Sequence, residues 1–94
     1  MAARVPDELL RRLRNEIPIT EIIANYAELP WKLSEGDFRF LCPICNEFRT
    51  ATNRRTNLGR CFRCERNFNP IDVVMATKPC SFLDAVELLK QLID

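Results

Sequence analysis

The 94-residue sequence contains no histidine, so any metal site in it must be built without imidazole. It has no apolar run near the roughly 18 residues that a membrane-spanning helix needs, which removes a helical span from consideration. Its opening residues, Met1-Ala2-Ala3-Arg4-Val5-Pro6, lack the apolar segment of a secretory signal. Together these absences predict a cytoplasmic protein without membrane attachment. No internal repeat, linker or low-complexity tract divides the chain, and residues 1–94 are read as one domain. A hydrophobic core of this size is marginal by itself, so a structural metal would carry weight.

What the sequence does have is cysteine, five residues in all. Cys42-Pro43-Ile44-Cys45 and Cys61-Phe62-Arg63-Cys64 form two Cys-x-x-Cys pairs, with fifteen residues between them. Each pair puts two sulfurs on one tight turn, and the intervening residues suffice for a hairpin that returns the second pair to the first. Four thiolates in tetrahedral array suit zinc, whose filled d shell imposes no competing geometry. The spacing predicts a zinc ribbon with one structural zinc held by Cys42, Cys45, Cys61 and Cys64. Disulfides are the alternative for paired cysteines, and a reducing compartment disfavours them. Cys80 stands apart and reads as a small buried hydrophobe.

The formal net charge of +1 conceals a segregation. Residues 1–37 sum to −2, residues 38–70 to +5, and residues 71–94 to −2. All the excess positive charge therefore lies on the ribbon, which implies an anionic partner. Arg11, Arg12 and Arg14, by contrast, are interspersed with acids and read as an ordinary solvated helix face.

Apolar periodicity and capping residues predict helices over about 6–17, 18–26, 70–77 and 81–93. Leu9, Leu10, Leu13 and Ile17 share one face of the first, which Pro18 ends; Ile19, Ile22, Ile23 and Tyr26 mark the second. Asn69-Pro70-Ile71-Asp72 combines a capping asparagine, a proline at the first helical position and an acid facing the dipole, and this helix is expected to bury Ile71, Val74 and Met75. Ser81-Phe82-Leu83-Asp84 resembles a capping box, with Phe82, Ala85, Val86, Leu89 and Ile93 as the inner face of the last helix. Between the helix pairs, Leu29–Leu33 and Phe38–Leu41 form a hairpin around Ser34-Glu35-Gly36-Asp37, with Pro30 placing its first arm at an edge. Arg49–Asn53 and Asn57–Phe62 are two further short strands. The fold class is α+β: a small zinc ribbon of antiparallel hairpins, about residues 38–70, flanked by N-terminal and C-terminal helices.

Leu41-Cys42-Pro43, Cys61-Phe62-Arg63-Cys64, Asn69-Pro70-Ile71-Asp72 and Ser81-Phe82-Leu83-Asp84-Ala85-Val86, in this order, resemble the N-terminal zinc-binding domain of bacterial and phage DnaG-type DNA primases. The resemblance covers nearly the whole chain. Two departures stand out. The family's usual ligand set is Cys, His, Cys, Cys, whereas this chain offers Cys45 at the histidine position; Arg60 and Arg63 are expected to offset part of the extra negative charge. The family's glycine-rich segment after the second pair is replaced by Glu65-Arg66-Asn67-Phe68, where Asn67 is the residue suited to left-handed backbone.

The resemblance implies contact with single-stranded template DNA in primer initiation, with phosphodiester synthesis left to a separate domain bearing clustered metal-binding acids. No such cluster occurs in this sequence. The chain is therefore read as non-enzymatic and accessory to a primase, with a primase catalytic domain or a helicase as protein partner and no small-molecule substrate. Four thiolates also leave zinc no open position for water, which excludes a hydrolytic zinc site. Single strands are held by cations that track phosphates and aromatic faces that stack bases. The candidate DNA contacts are Arg39, Arg54, Arg55, Arg60, Phe62 and Arg63. Most of the ribbon's other aromatics read as packing around the metal. Two competing readings are a structural zinc ribbon serving protein–protein interaction, and an iron electron carrier, which the basic bias and the lack of glycine after either cysteine pair oppose.

Overall fold

The computed structural model describes residues 5–93. Met1–Arg4, which make up most of the stretch read for a signal, and Asp94 lie outside the described residues, as do the two ends of the 1–94 domain expectation. Two helices open the chain, α1 (Asp7–Asn15) and α2 (Ile19–Glu21, widening into a π turn over Ile22–Tyr26). Five strands follow: β1 (Trp31–Ser34), β2 (Asp37–Phe40), β3 (Thr50–Asn53), β4 (Leu58–Cys61) and β5 (Arg66–Phe68). Helices α3 (Pro70–Thr77) and α4 (Phe82–Ile93) close it. This is a small α+β zinc-ribbon architecture, and among the described residues no helix is long and apolar enough to cross a membrane.

Local chemistry accounts for the boundaries. The Asn69 Oδ1 accepts from the Asp72 N–H at 2.8 Å while Asp72 Oδ2 accepts from the Asn69 N–H at 3.0 Å, a reciprocal cap that starts α3 with Pro70 at its first position. Ser81 and Asp84 exchange the same pair of bonds ahead of α4, at 3.1 and 3.4 Å. Glu35 and Gly36, both at positive φ (54° and 85°), make the two-residue turn that the right-handed twist of β1 and β2 requires.

The strands form two antiparallel sheets, β1–β2 and β3–β4–β5. Threonine hydroxyls stitch one to the other. Thr50 Oγ1 donates to the Phe40 carbonyl at 2.6 Å and accepts from the Phe40 N–H at 2.8 Å, and Thr52 Oγ1 donates to the Phe38 carbonyl at 3.3 Å. Thr50 is fully buried, and these bonds satisfy it. The five strands consequently lie side by side.

Strand alternation then assigns two faces. Phe40 meets Phe68 edge to face at 6.3 Å, and a Cβ at Gly59 would come within 2.9 Å of the Phe40 ring. Phe40, Gly59 and Phe68 therefore point inward. The core joins them to Leu13, Ile19, Ile22 and Ile23 of the first helices, to Ile17 in the link between α1 and α2, and to Val73, Val74, Ala85, Val86 and Leu89 of the last two. Each buried aliphatic or aromatic side chain contributes about 1.5–3 kcal/mol of transfer free energy.

Several expectations require correction. Strand β5 was not anticipated, and within Glu65–Phe68 the left-handed residue is Glu65 (φ 54°), not Asn67, which lies in the strand. On α3 the buried residues are Ile71, Val73 and Val74, while Met75 is exposed. On α4 Phe82 is exposed as well, while Ala85, Val86 and Leu89 are buried and Ile93, partly buried, packs against the core as expected. Cys80 is only partly buried, packed against the core rather than enclosed by it.

Candidate metal centre and nucleic-acid surface

The two cysteine pairs adopt parallel local structures. In the first, the Ile44 N–H donates to Cys42 Sγ at 3.4 Å, and in the second the Cys64 N–H donates to Cys61 Sγ at 3.4 Å. The residue after each pair, Asn46 (φ 59°) and Glu65 (φ 54°), takes left-handed backbone. That conformation turns each chain away once its second sulfur has been delivered. Asparagine adopts it readily, glutamate at a cost of roughly 1–2 kcal/mol. Sequence reasoning found the cysteines but not these turns; only Asn46 carried a signal.

All four Sγ atoms lie within 4.8 Å of one another, with Cys42–Cys64 at 3.9 Å and Cys45–Cys61 at 3.6 Å. A tetrahedral zinc with bonds of about 2.3 Å requires sulfur–sulfur edges of about 3.8 Å. The donor set therefore fits one structural zinc in both chemistry and dimensions. These separations are also well beyond the roughly 2 Å of a disulfide, so the cysteines are not paired covalently. Zinc bound here would crosslink both turns. Four thiolates would complete its shell.

Without the metal, the Cys42, Cys61 and Cys64 thiols are shifted in different directions. Burial pushes the Cys42 thiol up. Burial, reinforced by the neighbouring sulfurs of Cys45, Cys61 and Cys42, pushes Cys64 up to about 12. At Cys61 burial acts in the same sense but is outweighed by hydrogen bonds from the Cys64 N–H and from the other three sulfurs, which bring it down to about 7. The Cys61 thiolate is thus accommodated by its neighbours, while Cys42 and Cys64 are held toward the protonated form.

Arg60 and Arg63, expected to offset the thiolate charge, are engaged elsewhere. Arg60 donates to Asn67 Oδ1 at 3.2 Å and lies over the Phe62 ring at 5.8 Å from its centroid. Arg63 pairs with Glu47 at 3.4 Å, tying the second cysteine turn to the first. The sulfurs receive backbone N–H groups instead, from Ile44 and Cys45 at Cys42 and from Cys64 at Cys61.

The face opposite Phe40, Gly59 and Phe68 is polar and basic. Lys32 pairs with Arg39 across β1–β2, and Ala51, Arg60 and Asn67 form a row across β3–β4–β5. Arg39 donates to the Thr50 carbonyl at 3.3 Å and lies 4.0 Å from Asp37, so it is partly held. Phe62 is 55% exposed beside Arg60, and Lys32 sits 4.8 Å over the Phe48 ring. Arg54 and Arg55 are placed apart from this row, at the exposed β3–β4 turn, and neither makes an ion pair among the described residues. The structure thus brings Arg39, Arg60 and Phe62 to one face, Arg54 and Arg55 to its end, and Arg63 to the metal turn. Lys32 was missed as a member of this face, and Phe48, one of the ribbon aromatics read mainly as packing, comes beside it, because their approach depends on how β1 meets the first cysteine loop.

The chain is 29% identical over 91 residues to a DNA primase of Mycobacterium leprae, covering 95% of this chain and 14% of that protein. A DNA primase of Streptomyces coelicolor is 30% identical over 91 residues, with the same coverage. One from Listeria monocytogenes is 28% identical over 87 residues, covering 90% of this chain and 14% of the primase. The chain therefore spans about one-seventh of the length of these relatives. The family model for the CHC2 zinc finger matches residues 5–94, with Cys45 in place of the single histidine that such a ligand set contains. With its four sulfurs gathered within 4.8 Å of one another on two cysteine turns, this chain belongs to the CHC2 zinc-finger family, the zinc ribbon of DnaG-type primases.

Proposed function

We propose that this zinc ribbon engages single-stranded template DNA during primer initiation in DNA replication, as a cytoplasmic accessory to primase catalysis. The observation that carries the reading is the outer face of the strands, where Lys32, Arg39 and Arg60 stand with the aromatic rings of Phe48 and Phe62. Cations there meet phosphates, and an exposed ring stacks a base for roughly 1–3 kcal/mol. Arg54 and Arg55 extend the cationic track at the β3–β4 turn, and Arg63 contributes at the metal end. Zinc serves as a clip that holds this face in shape, since a closed four-thiolate shell has no position for substrate. Bond formation belongs to a catalytic primase domain acting with this one, and a helicase is a further partner of the same machinery.

Fluorescence anisotropy of zinc-loaded protein with an unstructured oligonucleotide, measured against salt, tests the reading. Neutralising phosphates releases counterions, so affinity must fall as salt rises, and Arg60→Ala must flatten the slope by about 0.7. Weak binding without salt dependence would instead favour a ribbon that serves only as a protein-interaction module.

A further inference from the structure

The inward face of the β1–β2 hairpin extends past the core. Trp31 and Leu33 are 47% and 70% exposed, although register places them on the same side as the fully buried Phe40. Trp31 stacks on Phe38 at 5.0 Å with planes 14° apart, which fixes the indole through a contact on one side. Both rings line a groove of about 730 Å³ between the hairpin and the start of α2, and Arg54 stands at its rim. That volume lies within the range of about 300–1,000 Å³ typical of small-ligand sites. Arg54 also borders a smaller adjoining cleft, shared with Arg55, Thr52 and Phe38. The two guanidinium groups, which form no ion pair among the described residues, therefore mark the route from the basic outer face, around the β3–β4 turn, to the aromatic pair. Glu21 also lines the groove and Asp37 the adjoining cleft; both repel phosphate, and Asp37 lies 4.0 Å from Arg39, so Arg54 and Arg55 are the groups left to meet backbone.

From this juxtaposition we propose a second nucleotide position: a single strand leaving the outer face passes its phosphates over Arg54 and Arg55 and stacks a base on Trp31. The proposal rests on the single-strand reading above and adds to it a site on the other side of the sheet. It accounts for the placement of Arg54 and Arg55 at the end of the strand array. It also assigns a purpose to an exposed indole, stacked on the partly buried Phe38, that packing alone would have covered.

Trp31 is the sole tryptophan, so its fluorescence reports this position directly. Zinc-loaded protein is titrated with oligothymidylate of about twelve nucleotides, within the site sizes of single-strand binders, while anisotropy of a label on the DNA and emission of Trp31 are recorded together. Quenching of Trp31 and its protection from acrylamide, over the same concentrations as the anisotropy change, are expected. Trp31→Ala should weaken binding about tenfold, and Arg54→Ala with Arg55→Ala should diminish the quenching. Rising anisotropy with unaltered Trp31 emission would overturn this position while leaving the outer-face reading intact, whereas no anisotropy change would remove both. A concentration-dependent shift of Trp31 emission in DNA-free protein would assign the groove to a second copy of the chain and overturn the proposal.

Discussion

The Asn57 side-chain amide donates to the Ile17 carbonyl at 2.7 Å, across forty residues of chain. The same amide donates to the Arg14 carbonyl at 2.6 Å, and its oxygen accepts from the Ile19 N–H at 2.9 Å. One residue in the β3–β4 turn thus satisfies a carbonyl in the last turn of α1, one in the link that follows it, and an N–H at the start of α2, groups that helix termini otherwise leave without partners. Its own positive φ of 57° suits asparagine. The ribbon is fastened to the helices through this side chain.

Asn57→Ala removes three bonds and places a Cβ residue without local hydrogen bonding in left-handed backbone. It should destabilise the zinc-loaded protein by about 2–3 kcal/mol, read as a drop in the urea midpoint at constant slope. A change below about 0.5 kcal/mol would show that the helices dock without this clamp.

Gly59 and Glu65 predict opposite signs. A Cβ at Gly59 meets the enclosed Phe40 ring at 2.9 Å, so Gly59→Ala should cost about 1–3 kcal/mol through overpacking. Glu65→Gly relieves left-handed strain just after the second cysteine pair and should stabilise by about 1 kcal/mol. Thermal denaturation in saturating zinc ranks the two against the parent, and a reversed order would contradict both accounts.

The elements that sequence made legible rest on short-range chemistry. Two cysteines three apart, a capping asparagine before proline, and a serine three before an aspartate each specify a local structure by themselves. What escaped it depends on distant partners. Asn57 reaches residues about forty positions earlier, and strand β5 exists because β4 offers it an edge. Helix α3 carries apolar side chains at Ile71, Val73, Val74 and Met75, so periodicity could not choose which of them faces inward. The two faces of the strands required the register between β1 and β2 and across β3–β5, which no spacing of residues in the chain discloses.

Acid should release the metal. Without zinc, Cys42 and Cys64 have raised pKa values and hold their protons at pH 7, while Cys61, at about 7, is half ionised. Zinc takes thiolates only, so its binding at pH 7 should release at least about two protons, and its affinity should fall as pH drops below neutral. Calorimetry in two buffers of different ionisation enthalpy measures the proton count. Binding without proton release would contradict the four-thiolate site.

Chelation should also unfold at least the ribbon, because structural zinc supplies apparent folding free energy on the order of 10 kcal/mol. Native circular dichroism that survives full removal of zinc would show that the cysteine turns are held by the core alone.

The central claim is that zinc holds a strand face on which single-stranded DNA lies. NMR titration of the zinc-loaded protein with a short single-stranded oligonucleotide tests it most directly. Shifts concentrated on Lys32, Arg39, Ala51, Arg60, Phe62 and Asn67, losing amplitude as salt rises, are predicted. Shifts confined to α3 and α4, or none under low salt, would contradict it.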